Sequence, residues 1–186
     1  MKKRIFIAIN FPQGIKSKVK STIEKLEKVS SGVKWINSEG AHITIAFLDW
    51  LVQEEIAKVT AVLKIVANNQ KKFEVGLENI GFFPTPNSPQ VVWIGSRENL
   101  NMVNLQNNLS RQLKLSGFKI EKRAFVPHLT IGRVKNGAKN MDKVARKASE
   151  INLGKFLVSS VDVMESIFKK EGSEYKTIFR VNFRNS

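Results

Sequence analysis

The order of apolar and polar residues along the chain predicts alternating strands and helices. Ile5, Ile7 and Ile9 occupy every second position of residues 4–10, which is typical of a strand with one buried face. After Pro12 the apolar residues recur at intervals of three or four, which predicts a helix that ends near residue 29. Alternation also predicts strands at residues 33–36, 42–48, 73–77, 91–94, 118–122, 125–134, 156–168 and 174–183. Recurrence every three or four residues also predicts helices at residues 53–67, 102–115 and 142–149.

Short turns separate several of these predicted strands. Residues 81–89 are rich in Gly and Pro, which predicts a loop between two of them. Consecutive strands joined in this way pair mostly antiparallel, and together with the helices they indicate the α+β class. At 186 residues the chain fits one domain, or one compact unit of two lobes.

The charge of the chain narrows the range of partners. Lys and Arg total 31 against 16 Asp and Glu, a net charge of +15. Such an excess favours a polyanionic partner, and a phosphate backbone is the commonest one. The alternative is a Lys-rich surface that only keeps the protein in solution. We therefore expect nucleic acid as the partner.

The absence of cysteine excludes a disulfide framework, a zinc–thiolate site and a cysteine nucleophile. The basic start, MKKR, precedes too short an apolar run for a signal peptide. No apolar run approaches the roughly 20 residues that span a bilayer. These features predict a soluble, cytoplasmic protein that has no membrane partner.

Both histidines of the chain stand in the same tetrapeptide pattern. His42 opens His-Ile-Thr-Ile and His128 opens His-Leu-Thr-Ile, 86 residues apart, which is close to half the chain. A given His is followed by this pattern by chance only about once in a hundred, so two occurrences argue against coincidence. Each motif follows a predicted helix and short strand, which indicates two related lobes.

The spacing of the motif has a physical reason. On a strand, His42 and Thr44 share one face and the aliphatic residues share the other, and the same holds for His128 and Thr130. Buried aliphatic residues would fix the register while His and Thr point into an open groove. One neutral imidazole can accept a proton from water, and a protonated one can donate to a leaving oxygen. The hydroxyls can hold phosphate oxygens, so the set suits phosphoryl transfer to water without a metal or other cofactor.

Three other roles for the histidines fit the sequence less well. A lone strand histidine is usually structural, but the paired occurrence argues against that reading. A metal site needs a third and fourth ligand, which only Asp or Glu could supply here. A serine hydrolase needs a serine on a tight turn, and G-x-S-x-G is absent from the sequence.

With these motifs the chain resembles the two-histidine phosphoesterases, and within them the bacterial and archaeal RNA 2′,3′-cyclic phosphodiesterases once called 2′-5′ RNA ligases. The resemblance covers nearly the whole length. It is carried by RIFIAINFP, VKWINSEGAHITIAFL, IGFFPTPNSPQVVWIG, KRAFVPHLTIGRVK and VMESIFKKEGSEY. The chain departs from the family at residues 46–49, where Lys-Phe-Leu-Gly is common, and at Gln90, where Arg is common. We expect these departures to alter substrate contacts and rate, and to leave the acid–base pair intact.

The resemblance implies a fold, a reaction and further site residues. The fold would be bilobal, with two pseudo-symmetric lobes of mostly antiparallel sheet and outer helices around a central groove, interleaved in one catalytic domain of residues 1–186. The reaction would convert a terminal 2′,3′-cyclic phosphate of RNA, for instance on a tRNA fragment, to a 2′-phosphate in a monomeric enzyme, with reverse 2′-5′ ligation open to the same groups. Arg133 would bind the phosphate. It lies five residues after His128, so it needs a strand end or a bulge to reach the same face.

The roles of the histidines and two rival functions stay open at this point. We assign His42 as the acid for the 3′-oxygen and His128 as the base for water, although the symmetric motifs fit the reverse equally well. The same pair could cleave 2′-5′ oligonucleotides or small cyclic nucleotides. A non-catalytic module that binds RNA ends is the alternative outside the enzymes. Four aromatic residues are candidates for base stacking or for the core: Phe11, Trp35, Phe82 and Phe83.

Overall fold

The computed structural model describes residues 1–97, 99–121, 123–170 and 172–184. Within them the chain forms nine strands and four α-helices. The strands are β1 (Lys3–Asn10), β2 (Ser31–Trp35), β3 (His42–Leu51), β4 (Phe73–Thr85), β5 (Ser88–Ser96), β6 (His128–Lys139), β7 (Asn152–Val158), β8 (Ser160–Lys169) and β9 (Gly172–Asn182). The helices are α1 (Gln13–Glu27), α2 (Gln53–Asn68), α3 (Leu100–Leu115) and α4 (Met141–Arg146), and short 3₁₀ turns cover Ser38–Gly40 and Ala148–Glu150.

The strands form two antiparallel sheets. One has four strands in the order β3-β1-β8-β9, and the other has five in the order β2-β6-β5-β4-β7. The chain passes between them repeatedly, since β2 lies between β1 and β3 in sequence but belongs to the five-stranded sheet. The α+β class and the two lobes of mostly antiparallel sheet are therefore confirmed.

The helices cover the sheets on the faces that the apolar residues occupy. Helix α1 packs on β2 and β7, α2 packs on β8 and β9, and α3 packs on α2 and β3. The stripes that predicted these helices are buried, and they join the strand residues in one continuous core. Residues 0% exposed in this core include Ile5, Ile7, Val19, Leu26, Val59, Leu63, Leu105 and Leu109.

The loop predicted for residues 81–89 is wrong. Strand β4 continues through it to Thr85, and β5 begins at Ser88, so the segment forms the tip of a long hairpin. Alternate residues of this strand, Ile80 and Phe82, are 7% and 9% exposed, and their burial holds the strand together despite its Gly and Pro content. The prolines lie near the turn of the hairpin, where a missing N–H costs little.

Three other predicted boundaries differ from the structure. Residues 156–168 are not one strand: the chain leaves β7 in one sheet and enters β8 in the other, with Ser159 between them. Residues 118–121 and 125–127 are not strands but belong to a loop before β6, and residue 122 lies outside the described residues. The helix predicted for residues 142–149 ends at Arg146, and a 3₁₀ turn follows.

Candidate active site

The two His-x-Thr-x motifs lie on strands that meet between the sheets. Strand β3 is the edge of the four-stranded sheet, β6 is the second strand of the other, and the two contact each other. The aliphatic motif residues are at most 3% exposed, namely Ile43, Ile45, Leu129 and Ile131. The polar motif residues are half-buried on the opposite face, namely His42, Thr44, His128 and Thr130. The predicted sharing of faces is confirmed.

Each histidine is held by the backbone in the same way. Nδ1 of His42 lies 2.7 Å from the carbonyl oxygen of Gly40, and Nδ1 of His128 lies 2.7 Å from that of Val126. A carbonyl oxygen only accepts, so Nδ1 carries the hydrogen in both rings. This fixes the tautomer and leaves Nε2 of each histidine as the nitrogen available to a ligand.

Aromatic side chains hold the ring of His42. Phe6 and Tyr175 lie with ring centroids 4.9 Å and 4.8 Å from it, the tyrosine edge-on. Tyr175 packs closely on Gly40, where an added Cβ would lie 3.0 Å from the ring. The glycine that accepts the His42 hydrogen bond therefore also makes room for the tyrosine beside it.

A second aromatic pair holds His128. Phe83 lies edge-on at 5.0 Å and Trp93 at 5.9 Å, and the two contact each other at 5.1 Å. Trp93 lies across Gly81, where a Cβ would be 2.0 Å from the indole. Among the predicted stacking candidates only Phe83 lines the cleft described below; Phe11 and Phe82 are core, and Trp35 packs on Gly132.

The environment lowers the pKa of both histidines. Burial is the main cause at each, and the hydrogen bonds to Gly40 and Val126 oppose it in part. The charge of His128 lowers the pKa of His42 further. In the unliganded protein the pair therefore releases its protons more readily than ordinary histidines do.

Arg133 reaches the same face through a bulge. Trp93 pairs with Thr130 but its neighbour Val92 pairs with Gly132, so Ile131 is an extra residue in β6. The exposed Arg133 side chain follows this bulge and lines the same cleft as His128 and Thr130. Of the two predicted routes, a strand end or a bulge, the structure has the bulge.

The cleft between the sheets has a volume of about 680 Å³. Part of its wall is the loop before β6, including Arg123 and Phe125. Its other lining residues include Thr44, Phe47, Phe83, Gln90, His128, Thr130 and Arg133. His42 lies on the same strand face as Thr44, two positions before it, and is not itself part of the wall. The structure thus brings four of the five predicted site residues to one cleft and places the fifth beside it.

A polar network beside His42 was not predicted. Asn10 is paired with His42 in the sheet, and its Nδ2 donates to Oδ2 of Asp162 at 2.6 Å. Arg180 donates from Nε and Nη2 to both oxygens of the same carboxylate, at 2.8 Å and 2.7 Å, and this bond raises the pKa of Arg180. Asp162 is 1% exposed, so these bonds satisfy a buried charge and join β1, β8 and β9. Only the register of the strands could have revealed this network.

The described residues offer neither a cluster of metal ligands nor a membrane-spanning helix. Among the described residues, no three His, Cys, Asp or Glu side chains come together as ligands for a metal. None of the described helices is both long and apolar enough to cross a membrane.

Comparison with known proteins assigns the family. A sequence model of the 2′-5′ RNA ligase superfamily matches residues 15–167. The chain belongs to this superfamily. A relative from Archaeoglobus fulgidus named RNA 2′,3′-cyclic phosphodiesterase is 35% identical over 94% of this chain and 97% of its own length. One of the same name from Methanocaldococcus jannaschii is 33% identical over 94% and 98%.

Two solved structures share the fold of this chain. Escherichia coli LigT in complex with 3′-AMP has a TM-score of 0.81, with 23% identity over 98% of this chain and 99% of that one. TT0787 of Thermus thermophilus has a TM-score of 0.82, with 20% identity over 98% of each chain. The fold that these structures share therefore extends over nearly the whole chain.

Proposed function

We propose that this protein is an RNA 2′,3′-cyclic phosphodiesterase that hydrolyses a terminal 2′,3′-cyclic phosphate to a 2′-phosphate. The observation that carries the proposal is the matched pair of histidines, each with Nδ1 bonded to a backbone carbonyl and Nε2 left for the substrate. Relatives of that name at 35% and 33% identity support the choice of substrate.

In the proposed mechanism the cyclic phosphate lies in the cleft between β3 and β6. His128 Nε2 accepts a proton from water as its oxygen bonds to phosphorus. His42 Nε2 donates a proton to the 3′-oxygen as the bond from phosphorus to that oxygen breaks. The products are a 3′-hydroxyl and a 2′-phosphate, and the histidines exchange protonation states.

The remaining cleft residues would hold the phosphate while this happens. The hydroxyls of Thr44 and Thr130 donate to its non-bridging oxygens, where negative charge concentrates in the transition state. The guanidinium of Arg133, exposed at the wall of the cleft, can donate two parallel hydrogen bonds. This set of hydrogen-bond donors needs no metal ion to stabilise the charge, so the proposal includes metal independence.

The test is product analysis on a short RNA that ends in a 2′,3′-cyclic phosphate, with EDTA present. We expect the wild type to yield only the 2′-phosphate, and H42Q and H128Q each to lose about 10²–10⁴-fold in kcat, the usual contribution of acid–base groups. K28A, at the C-cap of α1 and away from the cleft, is the matched control and should keep full activity. Loss of wild-type turnover in EDTA, restored by a divalent metal, would disprove metal independence. Binding of this RNA without turnover under any condition would favour an RNA-end-binding module.

We further propose that residues 1–186 act as one catalytic domain and as a monomer in the cytoplasm, on RNA ends such as those of tRNA fragments. The main hydrophobic core, which joins both sheets, supports one domain. Light scattering on the active protein tests the monomer, since a mass near 42 kDa instead of 21.0 kDa would indicate a dimer.

A further inference from the structure

Three large aromatic side chains remain exposed on the four-stranded sheet. Phe47, Trp50 and Phe168 are 38%, 51% and 61% exposed. Large apolar groups that cluster on the surface of a soluble protein usually mark a binding site. Together with Arg4, which contacts two of them, we call these residues the aromatic platform.

The register of the strands places the platform on the face that carries the motif residues. Trp50 is the cross-strand partner of Arg4, and Phe47 is the partner of Phe6, whose ring contacts His42. Cross-strand partners in an antiparallel pair point to the same side of the sheet. Phe168 reaches this side too, because the Arg4 guanidinium lies over its ring. The platform and His42 therefore share one surface.

Arg4 fixes the geometry of the platform. Its guanidinium carbon lies 4.6 Å from the ring centroid of Phe47 and 5.0 Å from that of Phe168, so the cation bridges two rings. Its Nε is 3.7 Å from a carboxylate oxygen of Asp49, a side chain 65% exposed and only weakly engaged. The Arg4 guanidinium therefore positions both rings, and it can also bind an anion.

The platform is continuous with the cleft. Phe47 belongs to both, because it lines the cleft together with Thr44. From Thr44 to Trp50 the strand runs six residues, roughly 20 Å at the usual rise. A linear ligand whose terminal unit binds in the cleft would therefore place its adjacent units over the platform.

We propose that the platform binds the nucleotides that precede the cyclic phosphate in a single-stranded RNA, a proposal that rests on the proposed function. Exposed aromatic rings beside cations are the chemistry by which proteins bind single strands, with bases on the rings and phosphates at the cations. The net charge of +15 favours this occupant over an apolar protein surface. The protein is then an enzyme for oligonucleotides more than for cyclic mononucleotides.

The test compares two substrates in four proteins. The substrates are a six-nucleotide RNA that ends in a 2′,3′-cyclic phosphate and a nucleoside 2′,3′-cyclic monophosphate. The proteins are wild type, W50A, F168A and the control L157A, which removes a side chain 56% exposed on the other sheet. All three substituted side chains are more than half exposed, so the variants should fold.

We expect W50A and F168A each to raise KM for the six-nucleotide RNA about tenfold, the effect of losing one stacked base, with kcat unchanged. Kinetics on the mononucleotide, and L157A on both substrates, should match the wild type. Equal losses on both substrates, or none on the RNA, would overturn the proposal.

A failure of the proposed function would be distinguishable. If the wild type turns over neither substrate, fluorescence anisotropy of a labelled six-nucleotide RNA still tests the platform, since W50A should weaken binding about tenfold. Undiminished RNA binding by W50A would overturn the proposal that the platform binds RNA. A wild-type dimer that W50A dissociates would show that a second copy of the chain covers this surface, and would also overturn it.

Discussion

His42 and His128 carry the same hydrogen bond, from Nδ1 to the carbonyl oxygen two residues earlier, at 2.7 Å in both. Each ring also has a pair of aromatic neighbours. The two motifs thus present equivalent Nε2 atoms from two sheets, an arrangement suited to a reaction in which one imidazole gains a proton while the other loses one. Nothing in the hydrogen bonds distinguishes the acid from the base, so the difference must come from electrostatics and from the substrate.

The pH dependence follows from the lowered pKa of both histidines. The productive pair carries one proton, and since both pKa values lie below the usual 6.5, that proton is increasingly lost above this pH. We expect kcat/KM to fall between pH 6.5 and 8.5, with a slope that approaches about tenfold per pH unit at the upper end. Initial rates at low substrate concentration measure this, and a kcat/KM that is flat or rises over this interval would contradict it.

The pH above which kcat falls should be higher than the pH above which kcat/KM falls. A bound phosphodiester anion favours the protonated imidazole, so it raises the pKa of the acid in the complex. Rates at saturating substrate provide this comparison in the same buffers. Coincident profiles would mean that the anion does not lie beside the acid.

The roles of the two histidines can be assigned with a substrate whose 3′-oxygen is replaced by sulfur. A thiolate leaves without protonation, so the variant that lacks the acid recovers activity on it and the variant that lacks the base does not. With His42 as the acid we expect H42Q to be rescued and H128Q to stay inactive. The charge of His128 lowers the pKa of His42, which favours the opposite order in the unliganded protein. Rescue of H128Q alone would reverse the assignment.

Arg133 provides a test of phosphate binding. We expect R133K to raise KM by roughly tenfold, because lysine keeps the charge but loses the two parallel hydrogen bonds. R133A should cost more, about 1.5–3 kcal/mol, the contribution of hydrogen bonds to a charged group. K135A, two residues further along β6, is the matched control and should behave as the wild type. Steady-state kinetics on the six-nucleotide RNA measure these effects, and full activity of R133K would argue against bidentate contact.

The sequence predicted the histidine pair because the motif is local: alternation along one strand decides which residues share a face. It also predicted α1, α2 and α3, whose apolar stripes are long. It missed Phe6 and Tyr175 beside His42, since 169 positions separate them in the chain and only the sheet register brings them together. It mistook the β4–β5 hairpin for a loop because Gly81 and Pro84 are poor strand formers, whereas packing under Trp93 outweighs their local preference.

Gly132 links the packing of the sheet to the position of Arg133. A Cβ at this residue would lie 2.7 Å from the Val33 side chain and 2.8 Å from the Trp35 ring on the neighbouring strand, so these side chains or β2 itself must shift to accept it. We expect G132A to lower the free energy of unfolding by about 1–3 kcal/mol, as overpacking of a core does. It should also raise KM, because the displaced residue adjoins Arg133. Urea denaturation and kinetics measure both effects. The control is G14A near the start of α1, where nothing lies within 4 Å of a Cβ and alanine favours the helix. If G132A were as stable as G14A and kept its KM, the close contact between β2 and β6 would not be what positions the arginine.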